Sequence, residues 1–155
     1  MLESTLVLIK PDAVRRGLIG QITARLEARG LLVRGVRSFV FTDEMLRANY
    51  AHLADRPFFP ELAAYMKSGM TVALWISGVD AVTVLRRTIG DTNARTAAPG
   101  TIRGDFSTST QRNLIHASDS PEAALVELAR FFPDGPTVPE DPAIVAQLYS
   151  TNELS

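Results

Sequence analysis

Leu6-Val7-Leu8-Ile9 is an unbroken apolar run of strand length, the pattern of a strand covered on both faces, and Lys10-Pro11-Asp12 ends it. Apolar positions then recur at helical spacing through Ile19, Ile22 and Leu26, and Gly30 supplies the stop. Leu31 to Phe41 is rich in β-branched and aromatic residues, which predicts a second strand with Gly35 as a bulge. Thr42 is placed to cap a helix, because Asp43 and Glu44 follow at the positive end of its dipole, and Leu46, Tyr50 and Leu53 share one face. Pro57 and Pro60 interrupt the pattern around Phe58-Phe59, and a short helix is expected from Glu61 to Lys67. Thr71 to Ile76 predicts a central third strand, Val82, Leu85 and Ile89 a helix ending at Gly90, and Leu114-Ile115-His116 a brief fourth strand. Ser120-Pro121 combines a capping hydroxyl with proline at the first helical position; Leu125, Leu128 and Phe132 are expected to be that helix's buried face.

With the helix pair between strands two and three set aside as an insertion, the order is βαββαβ. This predicts an α+β fold of the ferredoxin-like type, a four-stranded antiparallel sheet with helices packed on one face. Two segments lie outside that pattern. Asp91 to Asn113 has no hydrophobic period, yet it carries Arg95, Arg103 and Arg112, and loops of this length in compact domains usually carry function. After a domain spanning 1–132, residues 133–155 place Pro133, Pro136, Pro139 and Pro142 at the period of a polyproline II turn. That tail is expected to be a stiff arm on this or a neighbouring subunit; it lacks the basic flanks of an SH3 ligand.

Composition narrows the function. The 155 residues suit one domain, and 16 basic against 17 acidic residues give a net charge of -1, which argues against phosphate-gripping nucleic-acid binding as the primary role. Cysteine is absent, which excludes disulfides, zinc ribbons and thiol nucleophiles. The first residues lack the basic region of a signal peptide and no apolar run reaches the ~18 residues of a membrane helix, so a cytosolic setting is expected. Only Lys10 and Lys67 are lysines in a chain that otherwise writes positive charge as arginine. A lysine kept at a strand end points to a site wanting a compact ammonium on a flexible stem, or to chance.

No P-loop, no G-x-G-x-x-G after a strand and no HExxH is present. What remains is Asn113-Leu114-Ile115-His116-Ala117-Ser118-Asp119-Ser120, a histidine at a strand end before a capped helix. His116 is either a satisfied core residue or a reactive one. Ser118, Asp119 and the helix start would suit an anion beside the ring. Glu127 has Ala123, Ala124 and Phe131 as helical neighbours, so it either turns inward to orient an imidazole or pairs with Arg130 at the surface.

The chain resembles the nucleoside diphosphate kinase family from Thr5 to Phe132. The resemblance is carried by Thr5-Leu-Val-Leu-Ile-Lys-Pro-Asp-Ala-Val14, Arg16-Gly-Leu-Ile-Gly20, Arg56-Pro-Phe-Phe59, Gly90-Asp-Thr-Asn93, Pro99-Gly-Thr-Ile-Arg-Gly-Asp-Phe106 and Asn113-Leu-Ile-His-Ala-Ser-Asp-Ser120, in this order and spacing. It implies a ping-pong transfer of the terminal phosphoryl group from a nucleoside triphosphate such as ATP to a nucleoside diphosphate, through phosphorylated His116. It further implies Glu127 as the carboxylate that orients the histidine, Tyr50 near it, and Lys10, Arg86, Thr92 and Arg103 as phosphate-holding positions. Asn113 and Lys10 match the sugar contacts and Phe58 the base-stacking position, although Phe58 between prolines also reads as core. Mg²⁺ would bridge phosphate oxygens rather than sit in a protein cage. Members assemble as homo-oligomers, tetramers or hexamers. Gln111, Ala94 and Met70 depart from the commonest family residues.

Overall fold

The computed structural model describes residues 2–154; Met1 and Ser155, the outermost residues of the leader and tail readings, lie outside them. Four strands, β1 (Glu3–Ile9), β2 (Leu32–Val40), β3 (Met70–Gly78) and β4 (Ile115–Ala117), form one antiparallel sheet in the order β2-β3-β1-β4. Between β1 and β2 lie α1 (Pro11–Arg15) and α2 (Ile19–Ala28); between β2 and β3 lie the inserted α3 (Asp43–Asn49) and α4 (Phe59–Lys67). α5 (Ala81–Ile89) and α6 (Ile102–Phe106) precede β4, and α7 (Pro121–Phe131) and α8 (Pro142–Leu148) follow it. The fold is therefore the ferredoxin-like α+β arrangement with an inserted helix pair. Among the described residues no helix is long and apolar enough to cross a membrane.

Helices cover both faces of the sheet, not one. Val7 and Ile9 pack with Ile22, Leu26 and Leu85 from α2 and α5, whereas Leu6 and Leu8 pack with Leu46, Met66 and Leu128 from α3, α4 and α7. The reason is legible in β1 itself. A strand whose consecutive residues Leu6 to Ile9 are all fully buried needs a layer on each side, and the inserted pair with α7 supplies the second. Register slips between Val33 and Gly35, the expected bulge, and Phe132 approaches so closely that a Cβ at Gly35 would lie 3.0 Å from its ring.

Local signals placed several helix ends correctly. Thr42 Oγ1 accepts from Met45 N–H at 3.2 Å, and Ser120 Oγ accepts from Ala123 N–H at 3.1 Å. Others were overridden. α4 begins at Phe59, because Pro60 sits in its first turn, where a missing N–H costs nothing. The stretch from Asp91 to Asn113 contains α6, capped by Thr101 and anchored by fully buried Ile102. On α7 the buried face is Ala124, Leu128 and Phe131, while Leu125 is exposed; the helix is rotated so that 124, 128 and 131 meet the sheet. The tail is not a polyproline arm throughout, since Pro142 opens α8 with Asp141 as its cap. Val138 N–H donates to the Arg34 carbonyl at 2.9 Å, beside the bulge of β2, and Tyr149 Oη accepts from Val79 N–H at 3.2 Å.

Gly90 ends α5 with φ 84° and ψ 178°, a conformation essentially confined to glycine, and a Cβ there would meet Thr101 Oγ1 at 2.4 Å. Gly90→Ala is expected to lower unfolding free energy by about 2–4 kcal/mol, from backbone strain plus overpacking. A urea midpoint equal to that of the wild type would show that the α5–α6 junction relaxes freely.

Candidate active site

β4 pairs with β1 so that His116 stands opposite Leu8. Directly opposed residues share a face, so the imidazole points toward the layer that contains α7. Glu127 on α7 meets it: His116 Nε2 lies 3.1 Å from Glu127 Oε1. Ser118 Oγ donates to Glu127 Oε2 at 2.6 Å and accepts from Leu6 N–H at 3.3 Å. Burial pushes the Glu127 carboxyl up, but hydrogen bonding and charge from His116, with Ser118 and Arg130, hold it below the ordinary glutamate range. Glu127 is thus a carboxylate and the acceptor, which assigns the proton to Nε2 and leaves the Nδ1 lone pair without a partner among the described residues. Of the two readings of Glu127, the inward one holds; Arg130 instead donates to Asn49 Oδ1 at 2.8 Å. Ser118 is fully buried and donates its hydroxyl to the Glu127 carboxylate, so it does not serve a bound anion in the cleft.

His116 opens into a cleft of about 1110 Å³, which also receives Lys10, Tyr50, Phe58, Thr92 and Asn113. Lys10 follows the last residue of β1 and donates from Nζ to Asn113 Oδ1 at 2.7 Å. Its removal from water, reinforced by the charge of Arg103 and opposed by Asp12, lowers its pKa to about 8. Asn113 Nδ2 donates to the Thr92 and Thr110 carbonyls, both at 2.9 Å, and so ties two loops to the strand entrance. Tyr50 is buried at the cleft wall; burial raises its hydroxyl to about 12 despite Asn49, and the charge of Glu127 adds to the rise. Phe58 is 46% exposed, so it is a cleft residue, whereas Phe59 packs against the α3–α4–α7 core.

Two arginines behave differently. Arg86 is exposed and ion-paired with Asp119, in an adjoining hollow with Arg87 and Thr92, so Thr92 joins that hollow to the main cleft. Arg103 is buried, and burial with the neighbouring charge of Arg86 lowers its pKa to about 10, still cationic at neutral pH. It donates to the carbonyls of Asn113 (3.2 Å), Gly90 (3.0 Å) and Ile115 (2.7 Å). That clamp was not legible in the sequence, because three backbone carbonyls leave no residue-type signal. Leu114, between two of them, has φ 73°, and Ile115 N–H donates to the Asn113 carbonyl at 2.9 Å. This is a γ-turn of the rare, strained hand. Sequence reasoning also passed over Asp12 and Tyr65, which line the same cleft and are hydrogen-bonded to each other. No group of three or more His, Asp or Glu side chains among the described residues could hold a metal ion.

Known proteins share the fold and much of the sequence of this chain. The nucleoside diphosphate kinase family model matches residues 3–136. A nucleoside diphosphate kinase of Parabacteroides distasonis is 46% identical over 153 residues, covering 99% of this chain and 100% of that protein. One from Methanosarcina acetivorans is 47% identical over 133 residues, 86% of this chain and 89% of its own. Among solved structures, a halophilic nucleoside diphosphate kinase from Halobacterium salinarum in complex with CDP superimposes with TM-score 0.91 at 40% identity, covering 97% of this chain and all of that one. The apo enzyme from Encephalitozoon cuniculi gives TM-score 0.87 at 39% identity, with 95% and 99% covered. With the family model spanning most of its length and relatives of this identity covering nearly all of it, the chain belongs to the nucleoside diphosphate kinase family.

Proposed function

We propose that His116 Nδ1 is the phosphoryl carrier in the reaction of this family, the reversible transfer of a terminal phosphoryl group from a nucleoside triphosphate to a nucleoside diphosphate. As a family member the chain is a phosphotransferase. The observation that carries the assignment is the pair His116 Nε2–Glu127 Oε1, 3.1 Å, with Nδ1 left without a partner among the described residues and the residue lining a cleft that also holds Lys10, Arg15, Arg16 and Arg112. The Nδ1 lone pair attacks the terminal phosphorus. The bond from phosphorus to the bridging oxygen breaks, and the diphosphate leaves with that electron pair. The imidazole gains positive charge as the P–N bond forms, and Glu127, fixed by Ser118, stabilises that charge through Nε2–H. A second diphosphate then attacks the same phosphorus from its terminal oxygen, and the P–N bond breaks.

Lys10, Arg86, Thr92 and Arg103 are read as holding the phosphates, Asn113 and Lys10 the sugar, and Phe58 the base; Tyr50 stands at the wall beside them. Arg103 keeps donor capacity for a phosphate after its three backbone bonds, because a guanidinium carries five N–H groups. Stacking on the half-exposed Phe58 supports broad base use, since every base offers a π-face. The donor set fits Mg²⁺ carried in on the nucleotide: among the described residues no carboxylate cluster competes for it. Bound between phosphates held by these residues, it would neutralise their charge. A homo-oligomer, tetramer or hexamer, belongs to the same reading; the exposed Val36 and Val40 on β2 are apolar surface that such an assembly could cover.

Incubation with ATP and Mg²⁺ is expected to add one acid-labile, alkali-stable phosphate to the wild type and none to His116→Ala; a wild type that takes up no phosphate overturns the assignment. Glu127→Gln should lower kcat roughly 10–100-fold by analogy with other residues that orient a histidine, and an unchanged kcat would mean the contact is idle. Because Lys10 titrates near pH 8 in the free protein, kcat/KM for the triphosphate, which meets that form, should decline above that pH as the ammonium is lost. In Lys10→Arg, which keeps its charge, the alkaline limb should vanish; its persistence would place the titration elsewhere.

A further inference from the structure

We infer that Asp12 is a positioning residue for the reaction, tying the cleft-wall helix α4 to the turn that presents His116, through Tyr65 on one side and the Leu114 amide on the other. This rests on the carrier reading of His116. The Tyr65 hydroxyl donates to Asp12 Oδ1, and Leu114 N–H donates to Asp12 Oδ2 at 3.1 Å. The Leu114 carbonyl accepts from Lys10 N–H at 2.8 Å. The two residues flanking Pro11 therefore grip both backbone polar groups of Leu114, and Pro11, in the first turn of α1, fixes the backbone between them.

Leu114 needs such a grip. It is fully buried, β-carbon-bearing and at φ 73°, where a leucine has no intrinsic reason to stay. Asn113 before it receives Lys10 Nζ, and His116 follows two residues later, so any relaxation of the turn moves the sugar-contact and carrier positions relative to each other. Glu127 and Ser118 hold the imidazole from behind but do not touch the turn. Arg103 holds the carbonyls on either side of Leu114, and among the described residues Asp12 alone holds its N–H.

Tyr65 extends the device across the cleft. It sits on α4, which begins just after Phe58, so the chain Tyr65–Asp12–Leu114 connects the proposed base platform to the strand that bears the carrier. Burial, then the hydrogen bond and charge of Asp12, push the Tyr65 hydroxyl well above its ordinary value, which keeps it a donor at any working pH. Asp12 is the acceptor of both bonds. An asparagine in its place would offer one carbonyl oxygen to two donors and turn an NH₂ toward one of them.

The test is single-turnover phosphorylation of wild type, Asp12→Asn and Tyr65→Phe by radiolabelled ATP with Mg²⁺, alongside ADP affinity by titration. Asp12→Asn should slow phosphorylation about 10–100-fold, with ADP affinity within about threefold of wild type, because ground-state binding is left largely intact. Tyr65→Phe keeps the Leu114 bond and should slow it about 2–10-fold, the worth of one ordinary hydrogen bond. Wild-type rates in Asp12→Asn, or a loss confined to ADP affinity, would overturn the proposal. Should Asp12→Asn not fold, a wild-type rate in Tyr65→Phe overturns it. A wild type that accepts no phosphate defeats the carrier reading first, which separates the two failures.

Discussion

The site depends on one bent peptide. At Leu114 the backbone turns through a γ-turn that leucine disfavours, and it is held there by groups from three directions: Arg103 on the carbonyls of Asn113 and Ile115, Lys10 N–H on the Leu114 carbonyl, and Asp12 on the Leu114 N–H. The turn lets Asn113 face the Thr92 and Thr110 loops while His116, three residues on, still pairs with Leu8 of β1. A straight strand could not serve both, because its side chains alternate between faces and its edge would not fold back over the loops. Strain of this kind persists only where the surroundings over-determine it, and here both backbone groups of Leu114 and the carbonyls on either side of it are matched.

The electrostatics follow from the same packing. Lys10 and Arg103 are drawn into a region poor in water, which lowers the pKa of both and leaves Lys10 close to neutral pH. The buried Arg103 and the half-buried Lys10 near each other are unfavourable in isolation, and the three carbonyls on Arg103, Asn113 on Lys10 and the Asp12 carboxylate nearby offset part of that cost. A polyanion entering the cleft would relieve the remainder. The opposite polarity is arranged behind the histidine, where Glu127 stays ionised despite burial because His116 and Ser118 bind both of its oxygens. Cations in front of the ring and an anion behind it suit the role proposed for this imidazole, to take and give a phosphoryl group in turn.

Much of this was legible in the chain itself. The two-sided burial of β1 follows from four consecutive apolar residues, the caps at Thr42 and Ser120 from hydroxyls before helical patterns, and the bulge from Gly35. His116 stood out because Asn113, Ser118 and Asp119 surround it in a fixed motif. These are local signals, carried by residue type and short spacing, and local signals decide local structure. Tertiary packing decided the rest. Whether Glu127 faced the imidazole or Arg130, and whether Phe58 lay in the core or the cleft, turned on the rotation of α7 and the placement of the inserted pair. Helical periodicity leaves such rotations open when apolar residues lie on more than one side, as Val126 and Leu128 do. The grip on Leu114 was invisible for a sharper reason. Its acceptors and donors are mostly backbone groups, identical at every residue, brought together across 102 positions between Asp12 and Leu114. Residue identity determined which atoms could react; only the folded chain decided which of them meet.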